Sequence, residues 1–208
     1  MIGNDIVDLQ QALQESNWKR PRYLSKLFTA KEQAFIHAAP NKDQAVWLLW
    51  SRKESAYKII ARSRNQRFFA PKKLVNNNLD SPIHGQITFE NETFTTHSTI
   101  TNTHIHTIAQ KDKNFWSLSG NYLEPQASKS FFIANKSYAS QHFLARKQLL
   151  EYYAEYSKIS INSLTIQKDD NKVPHLYYKN KKQPIMISMA HHGHYAGFAL
   201  LYMIQTNE

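Results

Sequence analysis

The chain has 208 residues, with 26 Lys and Arg against 16 Asp and Glu, a net charge of +10; its apolar share of 41% can build a packed core, which excludes a wholly disordered chain. It has no cysteine, so disulfide scaffolds, thiolate zinc sites, iron–sulfur ligation and cysteine nucleophiles fall away together. Its five glycines (Gly3, Gly85, Gly120, Gly193 and Gly197) cannot be arranged as a G-x-G-x-x-G or Walker loop.

In chain order, residues 2–9 read as a short strand, with Ile2, Ile6 and Val7 around Asp5. Residues 22–38 read as helical, and Thr29-x-x-Glu32 has the spacing of a capping box. Pro40 and Asn41 break that region. The strongest helix follows over 43–62, where Val46, Leu49, Trp50, Tyr57 and Ile60 recur at helical spacing. The Asn-rich stretch 65–85 reads as loop. Ile87-Thr-Phe89, Phe94 and the alternation through Ile100, Ile105 and Ile108 fit a half-buried antiparallel sheet. Residues 120–130, around Pro125, read as a linker.

The second part starts with a helix over 137–157, built on Phe143, Leu144, Leu149, Leu150 and Tyr153. A strand at 164–166, a polar KDDNK turn and a hairpin of 185–190 with 195–203 complete it. Each half thus carries a helix followed by strands ending in an alternating pair, a weak repeat in pattern. The expected fold is α+β, two similar halves forming a pseudo-dimer, each a helix on a small antiparallel sheet, with domains at 1–120 and 126–208.

No run reaches the ~18 apolar residues of a membrane span. The opening MIGNDIVDL is interrupted by Asp5 and Asp8 and lacks a basic lead, so it does not read as a signal peptide. A soluble cytoplasmic protein is expected. The positive charge suits nucleic acid, an acidic membrane, a polyphosphate ligand or an acidic protein.

Several residues are candidates for chemistry. Asp5, flanked by apolar residues, is either an edge or turn-capping carboxylate or a metal ligand. Glu54 and Lys58 share a helix face at i, i+4; they form either a surface ion pair or, with Trp47 and Trp50 one and two turns earlier, an acid beside a buried stripe that wants a cation. His191-His192-Gly193-His194 looks like a zinc site to the eye, but with no Cys and no H-E-x-x-H a hairpin tip is the plainer reading. Basic residues cluster at Arg62, Arg64, Arg67, Lys72 and Lys73, interleaved with Phe68 and Phe69, and again at Lys179, Lys181 and Lys182. Such runs read as a solvated face, a single-stranded nucleic-acid surface or a dock for an acidic protein with apolar anchors.

These pieces occur together in one family. GNDIVDL at 3–9, LFTAKE at 27–32 and WSRKESAYK at 50–58 resemble the G-x-D, F-[ST]-x-x-E and W-x-x-K-E-[SA]-x-x-K motifs of the 4′-phosphopantetheinyl transferases. In the second half, the helix bearing Arg146 resembles the arginine helix of the larger members. Asn171-Lys172-Val173-Pro174 resembles their G-K-P turn, and Ala190-His191-His192 their S-H-S strand. The order of the motifs matches the much shorter holo-ACP synthases, while the length matches the two-half type. So either the halves are swapped or a small unit carries a long insertion. The chain departs from the larger members at Val7, where many have the acid of D-x-E, and at Ala190.

The resemblance implies transfer of 4′-phosphopantetheine from coenzyme A to a carrier-protein serine, releasing adenosine 3′,5′-bisphosphate. It implies Mg²⁺ on Asp5 and Glu54, with Glu54 and Lys58 catalytic. Arg146, Lys172, Pro174 and His191, with Lys58, would bind coenzyme A. The acidic carrier would dock on Arg62, Arg64, Arg67 and Phe68. A monomer without nucleic-acid or membrane partners is expected. The rival readings are a nucleic-acid-binding module and a catalytically inactive carrier-binding relative.

Overall fold

A computed structural model describes residues 1–111 and 127–202. The elements of the first half are β1 (Ile2–Asp8), α1 (Leu9–Glu15), α2 (Tyr23–Leu27), α3 (Ala30–Ala38), α4 (Lys42–Ser63), β2 (Val75–Asn77), β3 (His84–Phe89), β4 (Glu92–Ile100) and β5 (His104–Lys111). Those of the second are β6 (Ala127–Phe132), α5 (Tyr138–Ser157), β7 (Leu164–Lys168), β8 (Pro174–Tyr178), β9 (Lys181–Lys182), β10 (Ile185–His192) and β11 (Tyr195–Tyr202). The fold is α+β with antiparallel sheets, as expected from the sequence. Among the described residues no helix is long and apolar enough to cross a membrane.

The first sheet has the order β1-β5-β4-β3-β2. Strand alternation assigns its two faces. Gly3, Asp5 and Val7 of β1 turn toward α4, paired across β5 with Ala109, Thr107 and Ile105. Ile2, Asn4, Ile6 and Asp8 turn the other way. Helix α4 is capped by the Asn41 side chain, which accepts from the Gln44 N–H. It crosses the first face, burying Val46, Leu49, Ile59 and Ile60 completely, at about 1.5–3 kcal/mol for each such side chain.

The second sheet, β10-β11-β6, packs on the opposite face of β1 and β5. Small residues make the close approach possible. Ala199 packs with Ile2 and Ile108, and a Cβ on Gly197 would lie 2.9 Å from His106 Nε2. The far side of this sheet carries Ile187, Phe198 and Leu200 onto Leu149 and Tyr153 of α5, and the third sheet, β7-β8-β9, closes that core with Leu164, Ile166 and Leu176. The layers therefore run α4, first sheet, second sheet, α5.

β1 is an edge strand, and side chains cover several groups of its open edge. Ile2 O accepts from Arg62 Nη1 (3.0 Å), Asn4 O from Lys58 Nζ (2.6 Å), while the N–H groups of Asn4 and Asp8 donate to Ser188 Oγ (3.1 Å) and His192 Nδ1 (3.0 Å). Unpaired backbone groups there would be costly.

Two sequence expectations need correction. The stretch 65–85 is not simply loop: it holds a 3-10 turn at Pro71–Lys73, β2 and the start of β3. The expected linker at 120–130 is strand from Ala127 onward, paired with β11. Residues 120–126, the half-boundary near 125 and Met203 lie outside the described residues.

Candidate active site

Adjacent positions on α4 serve two different ends. Lys53 is 1% exposed, and its ammonium donates to Glu32 Oε2, Leu27 O and Pro71 O, each at 2.9 Å. Glu32 also accepts from the Thr29 N–H (2.7 Å), completing the capping box, and from the Asn76 N–H and Nδ2 (2.8 and 2.7 Å). Every strong valence of this buried pair is filled by its own chain, so it holds α3, α4, the 3-10 turn and β2 together.

One residue on, Glu54 turns toward Asp5. Gly3 sets how near β1 and α4 come: a Cβ there would lie 2.1 Å from the Ser55 carbonyl oxygen. Ser55 Oγ meanwhile donates to the carbonyl of Ser51 or Thr107 (2.8 and 3.0 Å), a hydroxyl small enough for this crossing. Asp5 lies 3.4 Å from Lys58 Nζ. Burial lifts the Asp5 carboxyl above its ordinary range against the pull of Lys58. Burial and then the charge of Asp5 raise Glu54 to about 7. Two desolvated carboxylates thus oppose each other with one lysine between them. That donor set, hard oxygens with too little positive charge, fits a divalent cation that takes its remaining ligands from water or a substrate. Among the described residues no group of three or more His, Asp or Glu side chains could hold a metal, so the two carboxylates are the candidate ligands.

Lys58 also lines a cleft of about 720 Å³ between the halves. Arg62 and Arg67 join it from the first half, Lys168, Lys172, Pro174 and His191 from the second. Positive charge thus converges where no glycine-rich loop exists. His191 lies below its ordinary pKa because burial, then Lys58 and His142, disfavour its charged form. Lys172 carries a left-handed φ of 64°.

The other expected site residues are dispersed. Arg146 donates to the Ile166 carbonyl. Burial lowers its pKa. The expected docking residues do not form one open surface. Arg62 turns inward, bonding Ile2 O and Ile187 O (3.0 and 3.3 Å). Arg64 is held by Glu90 at 2.7 Å. Phe68 packs between Tyr57 and Phe89. Arg67 stays exposed on the cleft rim, and Phe69 is 78% exposed.

The His191–His194 run is no metal centre, because its rings diverge. His192 accepts from the Asp8 N–H and meets Glu15 at 3.1 Å, whereas His194 meets the Ile133 carbonyl at 2.9 Å. Gly193 has φ +55° and a Cβ there would strike Asp8 Oδ2 at 2.3 Å, so glycine is required twice over. Val7 lies in the core beneath α4, and Ala190 faces the first sheet and not the cleft.

Sequence reasoning missed Tyr57, Lys168, Tyr138 and His142 as cleft residues. It also grouped Arg62 with Arg64 and Arg67. The spacing held the signal: Glu54, Lys58 and Arg62 are successive i, i+4 positions, one stripe of α4, and Tyr138, His142 and Arg146 make the matching stripe of α5.

The family model for the 4′-phosphopantetheinyl transferase superfamily matches residues 1–116. No curated protein matches. Among solved structures, a Mycobacterium tuberculosis acyl carrier protein synthase (AcpS) aligns at 17% identity and a TM-score of 0.38, over 53% of this chain and 95% of that one. The matched segment is more than half of the chain and contains Asp5, Glu32, Lys53, Glu54 and Lys58 together. The chain belongs to the 4′-phosphopantetheinyl transferase superfamily.

Proposed function

We propose that this phosphopantetheinyl transferase moves 4′-phosphopantetheine from coenzyme A to a serine hydroxyl of an acidic carrier protein. The observation that carries the reading is the pair of desolvated carboxylates, Asp5 and Glu54, sharing Lys58, which itself lines a cationic cleft between the halves. The serine oxygen attacks the pantetheine-side phosphorus. The P–O bond to the nucleotide breaks, adenosine 3′,5′-bisphosphate leaves, and the serine proton passes to a base.

Glu54 is the candidate base, directly or through water; burial and Asp5 raise its metal-free carboxyl to about 7, and a bound cation would lower it again. Lys58 supplies a point charge to a phosphate oxygen, and Arg62, Lys168 and Lys172 lie along the same cleft for the remaining phosphates. Mg²⁺ held by Asp5 and Glu54 would neutralise and orient the pyrophosphate. We further propose the division into a catalytic half ending near 120 and a donor-binding half from 126, paired as a pseudo-dimer in one monomeric chain; the cleft takes residues from both.

A second candidate for the carrier surface lies elsewhere. With Arg62 and Arg64 engaged, the better candidate is a concavity of about 500 Å³ lined by Lys19, Arg20, Arg22, His37 and Lys42 around Trp18. Asp43, at the start of α4, is held by the Trp18 indole N–H at 2.6 Å. Such a surface steers an acidic partner, and salt weakens the encounter.

Intact-mass spectrometry of an apo carrier protein after incubation with the chain, coenzyme A and Mg²⁺ tests the reading. A gain of one phosphopantetheine, lost with EDTA, is expected. Coenzyme A binding without any gain on several carriers would instead favour the inactive carrier-binding relative.

A further inference from the structure

The cleft has two chemically different walls. One is mainly cationic, with Lys58, Arg62, Lys168 and Lys172 beside Asp170. The other is neutral and aromatic. Tyr138, at the start of α5, is 69% exposed. Its ring lies nearly parallel to that of His142, 5.9 Å between centroids and 22° between planes, and meets His191 edge-on at 5.3 Å. All three line the cleft. Both imidazoles are held below their ordinary pKa, first by burial and then by neighbouring cations, Arg146 and Lys168 for His142 and Lys58 for His191. At neutral pH they are uncharged, so this wall adds no cation to the cleft. A large exposed aromatic backed by neutral rings offers a π-face.

We propose that Tyr138, backed by His142 and His191, is the base-binding wall of the cleft, stacking the purine of a nucleotide whose phosphates lie on the cationic side. This assignment rests on the coenzyme A reading above and adds an orientation to it: the base on α5 and β10, the phosphates toward α4 and the β7–β8 turn. A polyanion without a ring has no use for the aromatic wall. A nucleotide uses both, and stacking favours a purine over a pyrimidine.

The test is calorimetric titration of the whole chain with adenosine 3′,5′-bisphosphate, uridine 3′,5′-bisphosphate and inorganic pyrophosphate. Wild type is expected to prefer the adenine nucleotide. Tyr138→Ala should weaken that ligand by roughly five- to 150-fold, the effect of losing one stacked base. It should change uridine bisphosphate less and leave pyrophosphate unaltered, while Tyr138→Trp restores the preference. Tyr138 is solvent-exposed, so the variants should keep the wild-type melting temperature, and His142→Ala provides an independent weakening of the same wall. Unchanged adenine affinity in Tyr138→Ala, or equal losses for adenine and uracil, overturns the wall while nucleotide binding by wild type keeps the coenzyme A reading alive. Failure of wild type to bind either nucleotide overturns both.

Discussion

Two acid–lysine clusters meet at neighbouring turns of α4, and they differ in how completely the chain satisfies them. Around Glu32 and Lys53, four donors converge on the carboxylate and three acceptors on the ammonium, all from the protein itself. Around Asp5 and Glu54, two carboxylates share Lys58, whose ammonium already holds the Asn4 carbonyl at 2.6 Å. A buried pair with every bond made is architecture. A buried pair left short of positive charge stores a repulsion that a ligand can relieve. The difference separates scaffold from site without reference to any relative.

The largest expected effect comes from breaking the closed pair. Lys53→Met should cost about 3–5 kcal/mol, because the Glu32 charge then stays buried without its cation. Urea denaturation measures it. A loss under about 1 kcal/mol would give the pair the weight of an exposed ion pair and erase the contrast.

Breaking the open pair should act on turnover. Glu54→Gln is expected to lower carrier modification by at least ~10²-fold, with the melting temperature unchanged or higher, since it removes the charge that opposes Asp5. A variant that unfolds would move Glu54 to the scaffold side of the comparison.

A pH series sharpens the same point without chemistry. In EDTA, unfolded Glu54 loses its proton near its ordinary value of 4.5, whereas native Glu54 keeps it to about 7. Between those values the native state binds more protons, so this group's contribution to stability falls as pH rises through the window. Asp5, also raised, acts in the same direction. The difference in stability between wild type and Glu54→Gln should therefore change most between pH 4.5 and 7. Added magnesium chloride should raise the wild-type melting temperature more at pH 8 than at pH 5. A flat difference across the window would mean that Glu54 is solvated like a surface acid.

Much of this contrast was legible in the residues, but not its division. The capping box at Thr29–Glu32, the limits of α4 and the i, i+4 relation of Glu54 and Lys58 all follow from local rules. What no local rule supplies is the destination of Lys53. It projects about 100° round the helix from Glu54, and its partner lies 21 residues away. β2 was hidden for the same reason, since Asn76 is fixed by the distant Glu32. β6 was hidden by its polarity: Ser128 and Lys129 are exposed on an edge strand, where polar residues are ordinary. Arg62 was misplaced because its neighbours in sequence are charged, although its helical spacing tied it to Lys58.

The smallest expected effect concerns the far wall of the cleft, and it asks whether a cation there belongs to scaffold or site. Lys172 holds φ 64° in the turn before β8, a conformation that costs a non-glycine residue roughly 1 kcal/mol. Asp169 fixes that turn, accepting from the N–H groups of Asn171 and Val173 at 3.0 and 2.9 Å, so the backbone geometry does not depend on the lysine side chain. Lys172→Gly should then stabilise the fold by up to about 1 kcal/mol while weakening coenzyme A binding several-fold, because one cation leaves the cleft. Opposite signs in the two measurements mark a residue kept in a strained backbone for its charge. A stability gain with unchanged coenzyme A affinity would return Lys172 to the solvated face and leave phosphate binding to Lys58, Arg62 and Lys168.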